Sequence, residues 1–117
     1  MRRLLSLATA LCWFVANNAA HANSTGDEML PGCKAFVEQR PQRSELIGAV
    51  KCGAQFSTIR QLAPHLTDKL RVCIPDSVTA GQVGRVVVKY LENNPGKLHQ
   101  DFTILSLIAL RTEWPCK

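Results

Sequence analysis

Past residue 22, few side chains could do covalent, metal or acid–base chemistry: Cys33, Cys52, Cys73, Cys116, the histidines His65 and His99, and nine acids. Zinc is usually held by close local pairs such as Cys-x₂-Cys. Here the nearest two cysteines stand 19 residues apart and each histidine is isolated, so no metal is expected. The lack of Cys-x-x-Cys argues equally against a thioredoxin-like redox role. No serine sits in a Gly-x-Ser-x-Gly elbow, and no glycine-rich loop could cradle a phosphate. His65 falls in a polar stretch and His99 where a helix opens, and neither has an activating partner in view. Asp76, Glu92, Asp101 and Glu113 read most simply as helix caps or solvated charges. Gly81 and Gly84 fall in the first turns of a helix and read as packing positions. Neither a catalytic residue nor a cofactor is expected, and a binding protein is favoured over an enzyme.

The four cysteines are even in number and widely spaced in a short chain, which reads as a disulfide framework. Four cysteines allow three connectivities, and the count alone does not choose. Helical hairpins add geometry. Pro41 cannot continue a helix, so Gln39–Gln42 is expected to turn the chain between a helix at Met29–Glu38 and one running from Glu45 to about Leu62. Cys33 lies 8 residues before Pro41 and Cys52 lies 11 after it, so the two should be nearly level. Pro95-Gly96 makes a second turn, with Cys73 22 residues before Pro95 and Cys116 21 after it. The favoured pairing is Cys33–Cys52 with Cys73–Cys116. Each staple should be worth ~2–4 kcal/mol, largely through the unfolded state, which matters for a domain with a modest core.

The elements that carry these residues are all expected to be helical. Ser44 is a candidate N-cap for the second helix, whose core side is expected to carry Leu46, Ile47, Val50, Ala54 and Ile59. Gly48 and Gly53 would allow close approach, and Pro64 should end the helix. His65–Arg71 reads as a polar, basic connector, and Asn23–Glu28 as a frayed start. Thr79-Ala80-Gly81-Gln82 reads as a capping box, with Val78 and Val83 in the staple positions around it. Val86-Val87-Val88 alone would suggest a strand. However, Val83, Val86, Val87, Tyr90 and Leu91 fit i, i+3, i+4, i+7, i+8, which is a helix, and Asn93–Gly96 stops it. The last helix is expected from about Leu98 to Glu113, with Phe102, Leu105, Ile108 and Ala109 as one stripe and Ile104, Leu107 and Leu110 widening it. The sum is an all-α, small four-helix domain stapled by two disulfides.

The N-terminus bears on location. Arg2 and Arg3 precede an apolar run, Leu4–Ala16, and Ala20-His21-Ala22 supplies small residues at a cleavage site, the layout of a secretory signal peptide. The run is well short of the ~20 residues a membrane-spanning helix needs. Cys12 lies within it and lacks the small preceding residues of a lipidation site. The expected organisation is a signal peptide at 1–22 and one domain at 23–117. Of 14 Lys plus Arg, 12 remain beyond the leader against 9 acids, a net charge of +3. These cations are scattered, which argues against nucleic acid. No later stretch is apolar enough to span a bilayer, so no membrane contact is expected after cleavage.

The segment "CIPDSVTAGQVGRVVVKYLENNPGKLH" from Cys73, followed by an apolar helix and "WPC" at Trp114–Cys116, resembles the Rap/Tai-type immunity proteins of type VI secretion amidase effectors. The likeness rests on Cys73-Ile74-Pro75, Val78-Thr79, Gln82, Val86–Leu91, Pro95, Leu98-His99, Ala109-Leu110 and Pro115-Cys116. Cys33 and Cys52-Gly53 are compatible with it, whereas Ala54-Gln55-Phe56 replaces the family's usual aromatic-glycine pattern. The resemblance implies a periplasmic, helical homodimer that binds a peptidoglycan amidase effector and blocks its active-site cleft. On that reading His65, Asn93, Asn94 and Gly96, in loops beside the patterned helices, are the candidate partner-binding residues. The runner-up is a small helical periplasmic chaperone or stress protein, which would share the leader, disulfides and apolar helices. A lysozyme-type hydrolase inhibitor is a third option.

Overall fold

A computed structural model describes residues 24–117. The expected signal peptide, its cleavage site, Cys12 and Asn23 lie outside the described residues. The chain forms four α-helices in order: α1 (Gly26–Glu38), α2 (Leu46–Leu62), α3 (Ala80–Asn93) and α4 (Phe102–Glu113). Single 3₁₀ turns follow α2 at Ala63–His65 and α3 at Pro95–Lys97. Pro64 lies within the first of these turns, two residues past the last residue of the helix it was expected to end. No strand forms among the described residues, and only two isolated bridges occur, Thr25 with Asp101 and Val72 with Pro115.

Both disulfides pair as the hairpin spacing predicts, Cys33 with Cys52 and Cys73 with Cys116. The first is completely buried between α1 and α2. Beside it the two helices cross backbone to backbone at Gly32 and Gly48. A Cβ on Gly32 would lie 2.5 Å from the Gly48 carbonyl, so neither position has room for a side chain. Gly53 gives space to the Phe36 ring instead.

A short aromatic row fills the centre. Phe36 lies 5.8 Å from Phe56, and Phe56 lies 6.1 Å from Phe102, centroid to centroid, in tilted arrangements that suit ring quadrupoles. α3 settles on this row at Gly84, where a Cβ would come within 2.8–3.2 Å of Val37, Phe36 and Phe56. Gly84 is thus a packing glycine, as expected. Val83, Val87 and Leu91 complete the inner face of α3, opposite Leu105, Ala109 and Leu110 of α4.

Caps explain several boundaries. The Thr79 hydroxyl accepts from the Gln82 N–H at 3.2 Å and the Gln82 carboxamide accepts from the Thr79 N–H at 2.7 Å, closing the expected box. α4 starts at Phe102, later than expected, because Asp101 caps it by accepting from the Ile104 N–H at 3.0 Å. α1 starts earlier than expected, at Gly26. Its first turn is held from outside: the Phe102 N–H donates to the Ser24 carbonyl, and the Gly26 and Asp27 N–H groups donate to Gln100 and Leu98. Glu28 also reaches back to the Thr25 N–H. Ser24–Glu28 is therefore a docked start and not a frayed one. The Thr25 hydroxyl donates to Asp27 and holds that carboxyl below its usual range. Ser44 does not cap α2. Glu45 takes the N-cap position without a side-chain cap, and its carboxylate accepts from the Gln42 N–H instead.

The expected core side of α2 is the main correction. Leu46, Ile47 and Val50 are 51%, 76% and 63% exposed, and Ala54 is also outside. The buried face is Ala49, Cys52, Phe56 and Ile59. Its spacing is itself helical, and Cys52 sets it, because a cysteine bonded to α1 must point at α1. Ile104 and Ile108 of α4 are likewise about two-fifths exposed and do not join the core.

Candidate functional site

The outer sides of α3 and α4 leave a groove of about 420 Å³ between them. Arg85, Val86, Lys89, Tyr90, Asn93 and Asn94 line it from α3 and its C-cap, and Ala109, Thr112 and Glu113 line it from α4. The inward pull of Val83, Val87 and Leu91 places this wall. With those three residues in the core, Arg85 and Lys89 fall on the solvent side one helical turn apart. Lys97 folds back over the Tyr90 ring, 5.7 Å from its centroid, and its ammonium lies 3.4 Å from the Tyr90 hydroxyl.

The protein divides its cations into engaged and free. The Arg60 guanidinium donates to the carbonyls of Val78 and Asp76, tying the end of α2 to the loop before α3. Arg71 pairs with Asp68, and Arg111 donates to the Lys69 carbonyl. Lys34 meets Glu92 at 3.0 Å on the surface. Among the described residues, Arg85 and Lys89 form no ion pair, and neither do the exposed Arg40, Arg43, Lys51, Lys69 and Lys117; of these, Arg85 and Lys89 are the ones that line the groove.

The four loop residues singled out from sequence separate in space. Asn93 is exposed at the end of α3 and lines the groove. Asn94 lines it too, but its side-chain amide donates to the Tyr90 carbonyl at 2.8 Å and so closes the helix end. Gly96 is exposed on the adjoining 3₁₀ turn, with nothing within 4 Å of where a Cβ would be. His65 ends the turn after α2, is exposed, and does not line the groove. Asn93, Asn94 and Gly96 thus cluster where α3 ends, whereas His65 belongs to the turn after α2.

Two further surfaces went unmarked in the sequence reading. One is the cationic wall at Arg85 and Lys89, which becomes a site only when α4 supplies the other wall. The other is the aliphatic outer face of α2. Among the described residues, no group of three or more His, Cys, Asp or Glu side chains could hold a metal ion.

The fold and these surfaces define a small, stapled, all-α domain whose features suit protein binding. The family model of Rap1a immunity proteins matches residues 25–116, spanning all four helices and both disulfides, and the chain belongs to that family. No curated protein and no solved structure matched it.

Proposed function

We propose that this protein is a periplasmic immunity protein that binds a peptidoglycan amidase effector of type VI secretion and obstructs its active-site cleft. Membership of the immunity family carries the reading. Two further features support it. A pair of disulfides needs an oxidising compartment to form and persist. No helix among the described residues is long and apolar enough to cross a membrane. Residues 1–22 are the signal peptide in this proposal, and the domain is 23–117. Obstruction needs only bulk delivered to the cleft, and the exposed end at Asn93, Asn94 and Gly96 is the protrusion we assign to it, with His65 at a second contact. The homodimer is part of the proposal, and the uncovered aliphatic side chains of α2 support it.

The test is co-purification with a cognate peptidoglycan amidase effector, together with a cell-wall hydrolysis assay. We expect a stable complex and loss of hydrolysis at one equivalent. Full hydrolysis in the presence of excess protein overturns the proposal. The exposed Leu46, Ile47 and Val50 also suit a small chaperone. Suppression of client aggregation at low pH, without amidase binding, would establish that reading instead.

A further inference from the structure

From the groove between α3 and α4 we infer that its occupant is an extended acidic segment of the partner, with carboxylates at alternate residues. This deepens the immunity reading and rests on it for the partner's identity, but the chemistry of the groove stands by itself.

The charge balance comes first. Arg60, Arg71, Arg111 and Lys34 are engaged within the protein. Arg85 and Lys89 are exposed, carry no internal ion pair among the described residues, and face one concavity. Lys97 stands at its lip over Tyr90. Glu113 of α4 is the single acid in the lining, and Glu92, on the helix of Arg85 and Lys89, is held by Lys34. The groove therefore presents excess positive charge to an outside partner, and such charge selects its complement.

The spacing comes next. Residues four apart on a helix are separated by about 6 Å along the axis. On an extended chain, side chains at i and i+2 share a face and lie about 6.7 Å apart. Carboxylates at alternate positions of an extended segment therefore meet Arg85 and Lys89 in register. Adjacent carboxylates do not, because neighbours on an extended chain point to opposite faces. Val86 and Ala109 give the floor an apolar strip for the stems of those side chains. One turn further on, the exposed Asn93 carboxamide can donate to and accept from the segment's backbone.

Two measurements test this. In the first, uniformly ¹⁵N-labelled protein is titrated with acetyl-Gly-Asp-Thr-Asp-Gly-amide and, separately, with acetyl-Gly-Asp-Asp-Thr-Gly-amide at millimolar concentration. We expect saturable amide shifts at Arg85, Lys89 and Asn93 with the first peptide, at least threefold weaker binding of the second, and no shifts in R85E/K89E. No shift in the groove, or equal affinity for both peptides, overturns the inference whether or not an effector is known. In the second, a cognate peptidoglycan amidase effector is bound to wild type, R85E/K89E and the control R40E/K51E, which reverses two exposed charges outside the groove. R85E/K89E should weaken binding about tenfold or more, with the loss shrinking as salt rises, and the control less than threefold. Equal losses in both variants overturn the inference and leave the immunity reading standing. Failure of wild type to bind overturns the immunity reading, and the peptide titration then decides the groove alone. A second copy of this chain seated in the groove would appear as a change of oligomeric state in R85E/K89E, and that also overturns the inference.

Discussion

α3 turns Val83, Val87 and Leu91 inward and leaves Arg85 and Lys89 in solvent, whereas α2 turns Ala49, Cys52, Phe56 and Ile59 inward and leaves Leu46, Ile47 and Val50 in solvent. α3 is held by what it buries and by a reciprocal cap. α2 is held by a disulfide and a glycine crossing, with Phe56 and Ile59 in the core and Arg60 tying its end to the loop before α3. A helix fastened covalently to its neighbour can keep aliphatic residues on its outer face, because its place in the fold does not depend on burying them. The difference separates the staple from the hydrophobic effect as a means of fixing a helix.

The strongest challenge to this contrast removes the covalent fastening. The double variant C33A/C52A should lose about 2–5 kcal/mol in denaturant unfolding followed by far-UV circular dichroism. Loss of less than 1 kcal/mol would mean that α2 is held by burial after all. Next come matched truncations on the two helices. Leu91→Ala removes a fully buried side chain and should cost about 2–4 kcal/mol. Ile47→Ala should stay within about 0.5 kcal/mol, since Ile47 is 76% exposed. Equal costs would dissolve the comparison. The smallest effect separates the helix starts. Thr79→Ala should cost about 1 kcal/mol by opening the α3 cap. Ser44→Ala should leave the melting temperature within error, because Ser44 is not the cap of α2.

The same contrast explains how far the sequence could be read. α3 was legible because its box and stripe are local and agree with each other. The disulfide pairing was legible because a turn of fixed length brings level positions together. α2 was misread because aliphatic Leu46, Ile47 and Val50 outweigh alanine and cysteine on any hydrophobicity scale. The residue that decided the face was Cys52, whose direction depends on a partner on another helix. The start of α1 was missed for a related reason. Thr25 and Glu28 stand at capping-box spacing, but Ser24–Asp27 is held by Leu98, Gln100 and Phe102, some 70 residues away. The candidate site was least legible. Asn93, Asn94 and Gly96 follow from the helix stop, but a groove needs two walls. Nothing in α3 alone says that Arg85 and Lys89 will look across at Ala109 and Thr112.

Among the described residues the disulfides join consecutive cysteines, Cys33 to Cys52 and then Cys73 to Cys116. The two rings lie side by side along the chain and neither encloses the other. A polypeptide that emerges from its N-terminus can therefore close the first ring before Cys73 appears. An oxidant that joins each new thiol to the one before it reaches the native pairing, with nothing left for an isomerase to reshuffle. That order holds only if counting starts at Cys33. Cys12 comes earlier, and a chain that kept it would offer Cys33 the wrong partner first. If residues 1–22 are removed as the proposed signal peptide, the timing of that cleavage decides whether this small protein oxidises correctly or becomes trapped by its own fifth thiol.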